Sequence, residues 1–135
     1  MVGGGGTDSL VGGSGIDQLT GGTGADVFVF KTATESSNVL ATADTITDFV
    51  RGQDRIDLTA IDASTKISGN NAFVWIGTAA IGTATSGDLR YQKYDKAGTD
   101  NDYTLVIADT DSDTASEFMV KLVGLYDLTA SDFLL

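Results

Sequence analysis

Large apolar residues stand nine positions apart at the start of the chain, at Leu10, Leu19 and Phe28, each set in a strand-like triplet that follows six glycine-rich residues. In ninefold register three rounds align, GGGGTDSLV, GGSGIDQLT and GGTGADVFV, with Gly at positions one, two and four and a large apolar residue at position eight. Asp8, Asp17 and Asp26 fill position six. A flexible glycine linker has no reason to hold an acid and a large apolar residue at fixed phase, so the pattern specifies structure. Farther on the periodicity changes and the predicted strands lengthen. "DTITDF" and "DRIDLTAI" flank the turn "VRGQ", and the apolar run "NAFVWIG" predicts a buried strand. "DLRYQKY", "DYTLVIA", "EFMVKLVGL" and "DFLL" alternate or run apolar, with "DKAGTDN" and "DTDSDTAS" among the segments between them. The expectation is antiparallel hairpins packed on the end of the repeat. Leu105, Ile107, Phe118, Val120 and Leu122 are core candidates, a helical turn is expected near residues 60–63, and Trp75 reads as core rather than as a sugar-stacking platform.

Composition narrows the chemistry. With 135 residues, 41% of them hydrophobic, the chain has room for one domain and a core. It holds no Cys and no His, which removes disulfides, thiolate metal sites, Ser/His and Cys/His nucleophiles and the usual general base. No apolar run approaches the length of a membrane span. The formal charge is −11, and the eight basic residues are scattered singly, which argues against nucleic acid and anionic membranes as partners. Solubility accounts for most of the acids. The aspartates in register with the glycines need another account.

That account is a hard cation. Calcium takes six to eight oxygen ligands, carboxylate and backbone carbonyl alike, and a glycine turn can aim carbonyls inward because no Cβ blocks the bend. The nonapeptide resembles the calcium-binding repeat of the RTX (hemolysin-type) proteins. What the resemblance implies is an all-β chain: a right-handed parallel β-roll of GGxGxDxUx repeats followed by antiparallel β hairpins in a sandwich-like cap. Positions one to six would form the metal-binding turn and the last three a short strand. Turns eighteen residues apart would stack on one edge and share calcium, placing Asp8 and Asp26 on one edge and Asp17 on the other. The implied ligands are Gly3, Gly4, Gly6 and Asp8, then Gly12, Gly13, Gly15 and Asp17, then Gly21, Gly22, Gly24 and Asp26. Eighteen beyond Asp17 is Glu35, and eighteen beyond Asp26 is Asp44, which makes these two the expected terminal ligands closing the roll. Two or three calcium ions follow.

The ten glycines of the turns handicap folding by about 5 to 10 kcal/mol relative to Ala. A ligand at about a thousand times its dissociation constant returns about 4 kcal/mol per site. The roll is therefore expected to order with calcium and to be disordered without it.

The block "ADTITDFVRGQDRIDLTAI", with "NAFVWIGTAA", "GDLRYQKY" and a final "ASDFLL", resembles the C-terminal module of serralysin-type exoproteins. That resemblance implies a non-catalytic module of a secreted, extracellular protein that leaves Gram-negative bacteria by a type I secretion apparatus. The signal would be the extreme C-terminus, here Asp132, Phe133, Leu134 and Leu135, which reads equally as a last edge strand. Met1 and Val2 sit at positions eight and nine of an unfinished round, so a covalent upstream domain is expected. The expected organisation is residues 1–30 as the roll of three repeats, 31–48 as a closing loop with further calcium ligands, and 49–135 as a C-terminal β subdomain.

Weaker signals remain. "DTDSDTASEF" sets Asp109, Asp111 and Asp113 in alternate positions like an EF-hand loop, but Thr114 replaces the required Gly and Val120 the bidentate Glu, so a plain acidic hairpin loop is favoured. No glycine run fits a phosphate-binding GxGxxG that opens a helix. Two alternatives stand beside the calcium folding module: a polysaccharide-binding or adhesin accessory module, favoured by a basic groove, and an enzyme using opposed carboxylates about 5 to 10 Å apart.

Overall fold

A repeat this short can bury its one large side chain only against its neighbours, and the computed structural model, which describes residues 1–82, 87–98, 100–111 and 113–135, shows how it does so. Thr99 in "DKAGTDN" and Ser112 in "DTDSDTAS" lie outside the described residues. The strands are β1 (Val2–Gly5), β2 (Ser9–Leu10), β3 (Gln18–Thr23), β4 (Val27–Val29), β5 (Asp44–Ile46), β6 (Arg55–Asp57), β7 (Val74–Gly77), β8 (Asp88–Tyr94), β9 (Tyr103–Ala108), β10 (Phe118–Val123) and β11 (Phe133–Leu134). A 3-10 turn, Ala130–Asp132, leads into the last of these. They form a seven-stranded sheet in the order β1-β3-β5-β10-β9-β8-β7 and a four-stranded sheet in the order β11-β6-β4-β2.

Through β6 the chain alternates between the sheets, one strand in each, so every two strands complete a coil. Within the repeats, β1 pairs β3 and β2 pairs β4 in parallel, with Val2 opposite Thr20 and Leu10 opposite Phe28. The next coil is longer. Leu19 faces Ile46 and Phe28 faces Ile56, because residues 31–43 and 47–54 lengthen the two connections. The strands on either side of "VRGQ" therefore do not pair with each other; they sit in opposite sheets and make one more coil.

The position-eight residues become two apolar ladders facing each other between the sheets. Leu10, Phe28, Ile56 and Phe133 are in register across the four-stranded sheet, and Leu19, Ile46 and Leu122 across the seven-stranded one. All seven are buried. A parallel ladder needs a donor strand on each side, and the C-terminal half supplies them: β10 adds in parallel to β5, and β11 in parallel to β6. The same two sheets thus run on from the repeats to the C-terminus, which is a closer union than hairpins resting on the end of a roll. Among the described residues, antiparallel pairing is confined to β8, β9 and β10.

All six residues of β9 are buried, yet they serve two clusters. Val106 and Ala108 join Phe118, Val120 and Leu122 in the main core, whereas Leu105 and Ile107 pack with Tyr103 in a smaller cluster on the other side of the sheet. Trp75 packs on the core as expected, stacked on Tyr91 and tilted against Phe133 at 4.9 Å between centroids. The run "NAFVWIG" is not the buried strand expected: only Val74–Gly77 is strand, at the edge of the sheet with Val74 57% exposed, and Phe73 before it is the residue that enters the core. Residues 58–61 form a turn closed by the Ile61 N–H to Leu58 carbonyl bond rather than a helix.

Truncating a rung should be felt through the whole stack. Phe28→Ala, at a fully buried position, is expected to cost about 3 to 5 kcal/mol by denaturant unfolding of the folded chain, and Val74→Ala less than about 0.5 kcal/mol.

Candidate metal centre

The glycines of the turns act in two ways. Gly22 and Gly24 hold φ of +98° and +126°, a region that residues with a Cβ rarely enter, and Gly4, Gly6, Gly13 and Gly15 repeat this at positions two and four. A Cβ on Gly22 would also strike the carbonyl oxygen of Gly4, and one on Gly24 that of Gly6. Position one is glycine for space alone. A Cβ on Gly3 would lie 2.7 Å from Asp8 Oδ2, one on Gly12 would lie 3.0 Å from Asp17 Oδ2, and one on Gly21 would collide with Asp26 Oδ2. Each aspartate therefore folds back over the first glycine of its own turn, while the carbonyls of Gly4 and Gly6 press onto the next turn of the edge.

The backbone N–H of each of these aspartates is tied to an acid of the next coil. Asp26 Oδ1 accepts the Asp8 N–H at 2.9 Å, and Asp54 Oδ1 accepts the Asp26 N–H at 3.0 Å. On the opposite edge Asp44 Oδ1 accepts the Asp17 N–H at 2.8 Å. Asp8 and Asp26 lie on one edge and Asp17 on the other, in the expected arrangement. Asp44 differs from the eighteen-residue extrapolation: it stands one coil beyond Asp17, not beyond Asp26, because the insertion of residues 31–43 falls between them. The position above Asp26 belongs to Asp54.

These acids divide by what their second oxygen does. Oδ2 of Asp8, Asp26 and Asp44 is buried with no hydrogen-bond partner among the described residues. A buried carboxylate oxygen without a donor is costly, and a cation is what relieves it. Asp54 is different, since its Oδ2 accepts the Val50 N–H at 2.8 Å. Asp48 is also satisfied: its two oxygens take the adjacent N–H groups of Gly21 and Gly22 at 2.8 and 2.7 Å, closing the third turn with a protein carboxylate. Asp132 takes the Gly52 and Thr129 N–H groups in the same manner and lies 3.7 Å from Arg51.

Burial pushes Asp44 up from the ordinary 3.8 to about 6; the Asp17 N–H opposes this, and the Asp17 and Glu35 carboxylates add to it. Asp17, Asp44 and Glu35 are thus gathered on one edge, although one oxygen of Glu35 also accepts the Lys31 N–H at 2.7 Å. The donors at both edges are oxygens only, several of them charged and dehydrated, and they fit a hard cation. On the first edge Asp8, Asp26 and the Gly4 and Gly6 carbonyls could hold it; on the second, Asp17, Asp44 and Glu35.

Asp48 and Asp54 were not among the residues singled out from sequence. A signal for Asp54 was present: Gly52-Gln53-Asp54, with Ile56 two residues on, repeats the step of Gly24-Ala25-Asp26 and Phe28, and Gly52 has a φ of +81°. For Asp48 no local signal exists.

An all-β chain of two sheets, mostly parallel and wound as a β-roll with acid-and-carbonyl turns, is the class that this architecture defines. The chain belongs to the family described as Peptidase M10 serralysin C terminal, whose model matches residues 1–135. It is 40% identical over 108 residues to Serralysin of Photorhabdus sp. (strain Az29) and 38% identical over 108 residues to Serralysin of Photorhabdus luminescens. These matches take in 80% of this chain and 20% of each relative, so the chain spans about a fifth of their length. Among solved structures it is similar to the AlgE6R3 subunit of the Azotobacter vinelandii mannuronan C5-epimerase, with a TM-score of 0.62 and 29% identity over 98% of this chain and 65% of that one. The AlgE6R2 subunit gives 0.58 and 32% over 93% and 69%.

Two measurements bear on the turns. Gly22→Ala, strained in φ and blocked by Gly4, is expected to destabilise the folded chain more than Gly13→Ala, whose Cβ meets open space, by at least about 1 kcal/mol in denaturant unfolding. The raised folded-state pKa of Asp44 stabilises the metal-free chain below about pH 4 and is lost as pH rises through about 6. Strand signal in chelator should therefore be higher at pH 5 than at pH 7.5.

Proposed function

We propose that this chain is a calcium-binding C-terminal folding and type I secretion module of a longer secreted protein, with no catalysis of its own, and that calcium outside the cell drives its folding. The observation that carries the reading is the set of buried, donorless Oδ2 atoms on Asp8, Asp26 and Asp44. Gly3, Gly4, Gly6, Gly12, Gly13, Gly15, Gly21, Gly22 and Gly24 shape the turns, and Asp17 and Glu35 complete the second edge. Two or three ions satisfy these oxygens. Without them the carboxylates repel within a chain of net charge −11, and the glycine entropy has nothing to offset it.

Burial of the tail supports the secretion half of the reading. Asp132 and Phe133 are buried, Leu134 and Leu135 are half-buried, and the Leu134 carbonyl accepts the Leu58 N–H at 2.9 Å, so the segment that a secretion apparatus would grip is fully accessible before β11 forms. Export of an unfolded chain followed by calcium-driven folding outside keeps the two steps apart. Membership of the serralysin C-terminal family is in line with this role and with an extracellular location, the upstream partner domain being part of the same polypeptide.

A second reading is favoured by the likeness to subunits of a mannuronan C5-epimerase: an accessory module that binds an acidic polysaccharide. Two of the eight cations meet over one ring, Lys96 and Lys121 at 5.3 and 5.1 Å from the centre of Tyr103. Retention on immobilised mannuronan that weakens with Lys121→Ala would move this reading forward.

The leading reading is tested by calcium titration followed by far-UV circular dichroism, with magnesium as control. A cooperative gain of strand signal is expected with calcium alone, and Asp26→Ala should move the midpoint to at least about tenfold higher calcium, equivalent to about 1.4 kcal/mol. Full strand content in chelator would sink the proposal.

A further inference from the structure

Outside the roll, the β9–β10 connection gathers acids in a way that alternate spacing did not foretell. Asp109, Asp111, Asp113 and Glu117 each bring a carboxylate oxygen within 4.8 Å of the others. The EF-hand comparison failed at Thr114 and Val120, but the structure supplies the missing acid from a nearer place, Glu117, which reaches back across the loop from the start of β10. The backbone holds the set in position. Asp111 N–H donates to Asp109 Oδ1 at 3.2 Å, Asp113 N–H to Asp111 Oδ1 at 2.8 Å, Ala115 N–H to Asp113 Oδ1 at 2.6 Å, and Thr110 N–H to Glu117 Oε2 at 2.8 Å.

Those contacts alone describe an acidic loop. What separates it from one is Asp109. This residue is fully buried at the end of β9, and with Oδ1 taken by the Asp111 N–H its Oδ2 is buried and has no partner among the described residues. No Lys or Arg among them makes an ion pair with any of the four acids. A dehydrated carboxylate oxygen with no N–H or ammonium donor, beside three further carboxylates, is the reverse of a stable arrangement in the absence of positive charge.

We propose that Asp109, Asp111, Asp113 and Glu117 form a calcium site in the β9–β10 loop, separate from those of the roll and built from side chains of a single connection. The donor set is oxygen only and irregular, which suits the six to eight flexible ligands of calcium and not the strict octahedron of magnesium. Its effect is local. Closing this loop fixes the start of β10, whose neighbour Ser116 accepts Asn38 Nδ2–H at 2.7 Å, and whose Met119 carbonyl accepts the Ser36 hydroxyl that in turn receives the Asp44 N–H. The site therefore braces the strand against which the longest coil of the roll is laid.

The test replaces Asp111 and Asp113 together by Asn, which keeps both backbone acceptors and removes two charges. At saturating calcium, native mass spectrometry of the full chain should show one bound calcium fewer than the unsubstituted chain, with strand circular dichroism retained. In amide NMR at intermediate calcium, the Asp111, Asp113 and Ala115 signals should respond only at about tenfold higher calcium, while those of Gly22 and Gly24 keep their midpoint. An unchanged count with unchanged midpoints would overturn the site, and so would an equal response to magnesium. Should the double variant lose strand signal, Glu117→Gln, which leaves the Asp111 and Asp113 turns intact, must show the same loss of one ion or the proposal fails. Failure of the roll reading is distinguishable, because there the glycine amides and Asp26→Ala would be indifferent to calcium while the hairpin still responded.

Discussion

Each coil of this protein is fastened to the one before it by a carboxylate that accepts the N–H of an acid: Asp26 from Asp8, Asp54 from Asp26, Asp44 from Asp17. That bond holds the turns at backbone contact, and the rest follows from the closeness. Only glycine fits where Gly22 meets the Gly4 carbonyl, and only short strands fit between turns so close in sequence. The large side chain at position eight then has one place to go, onto the equivalent residue of the next coil.

The same fastening creates the electrostatic demand. A carboxylate has two oxygens, and at Asp26, Asp44 and Asp54 the ladder uses one. Where the protein answers with more N–H groups, as at Asp48, Asp54 and Asp132, the acid is a structural cap that needs no ion. Where it does not, at Asp8, Asp26 and Asp44, a buried negative oxygen is left over. The two kinds of aspartate look alike in sequence and differ only in what surrounds the second oxygen. At Asp26 and Asp44, coil-to-coil bonding and the unpartnered oxygen are thus two ends of one side chain, and the proposed link between folding and cation binding rests on that.

The C-terminal half is not a passenger on the roll. It supplies β10 to one sheet and β11 to the other, so the open faces of the last coil are both covered by strands from later in the chain. Phe133 continues the ladder of Leu10, Phe28 and Ile56, and Trp75 lies over it. A repeat that would otherwise end in unpaired parallel edges is closed in this way without another glycine turn, and Asp48 seals the third turn where a fourth would have stacked.

Much of this was legible in the residues. The ninefold phase of glycine, acid and apolar residue marked an ordered repeat with one rung and one acid per round, and the resemblance it carries implied the turns and the two edges, because all of these are set within one or two coils and the backbone geometry of glycine is local. The step Gly52-Gln53-Asp54 carried the same information at a longer interval. Only the tertiary structure decided that Asp44 lies beyond Asp17, since the length of the connection 31–43 sets the register and no periodicity survives in it. It alone separated caps from orphaned acids, split β9 between two clusters, and turned Glu117 back into the Asp109 loop. Each of these depends on which distant N–H or side chain arrives at a given atom, and that is fixed by the pairing of strands far apart in the chain, not by the residues on either side.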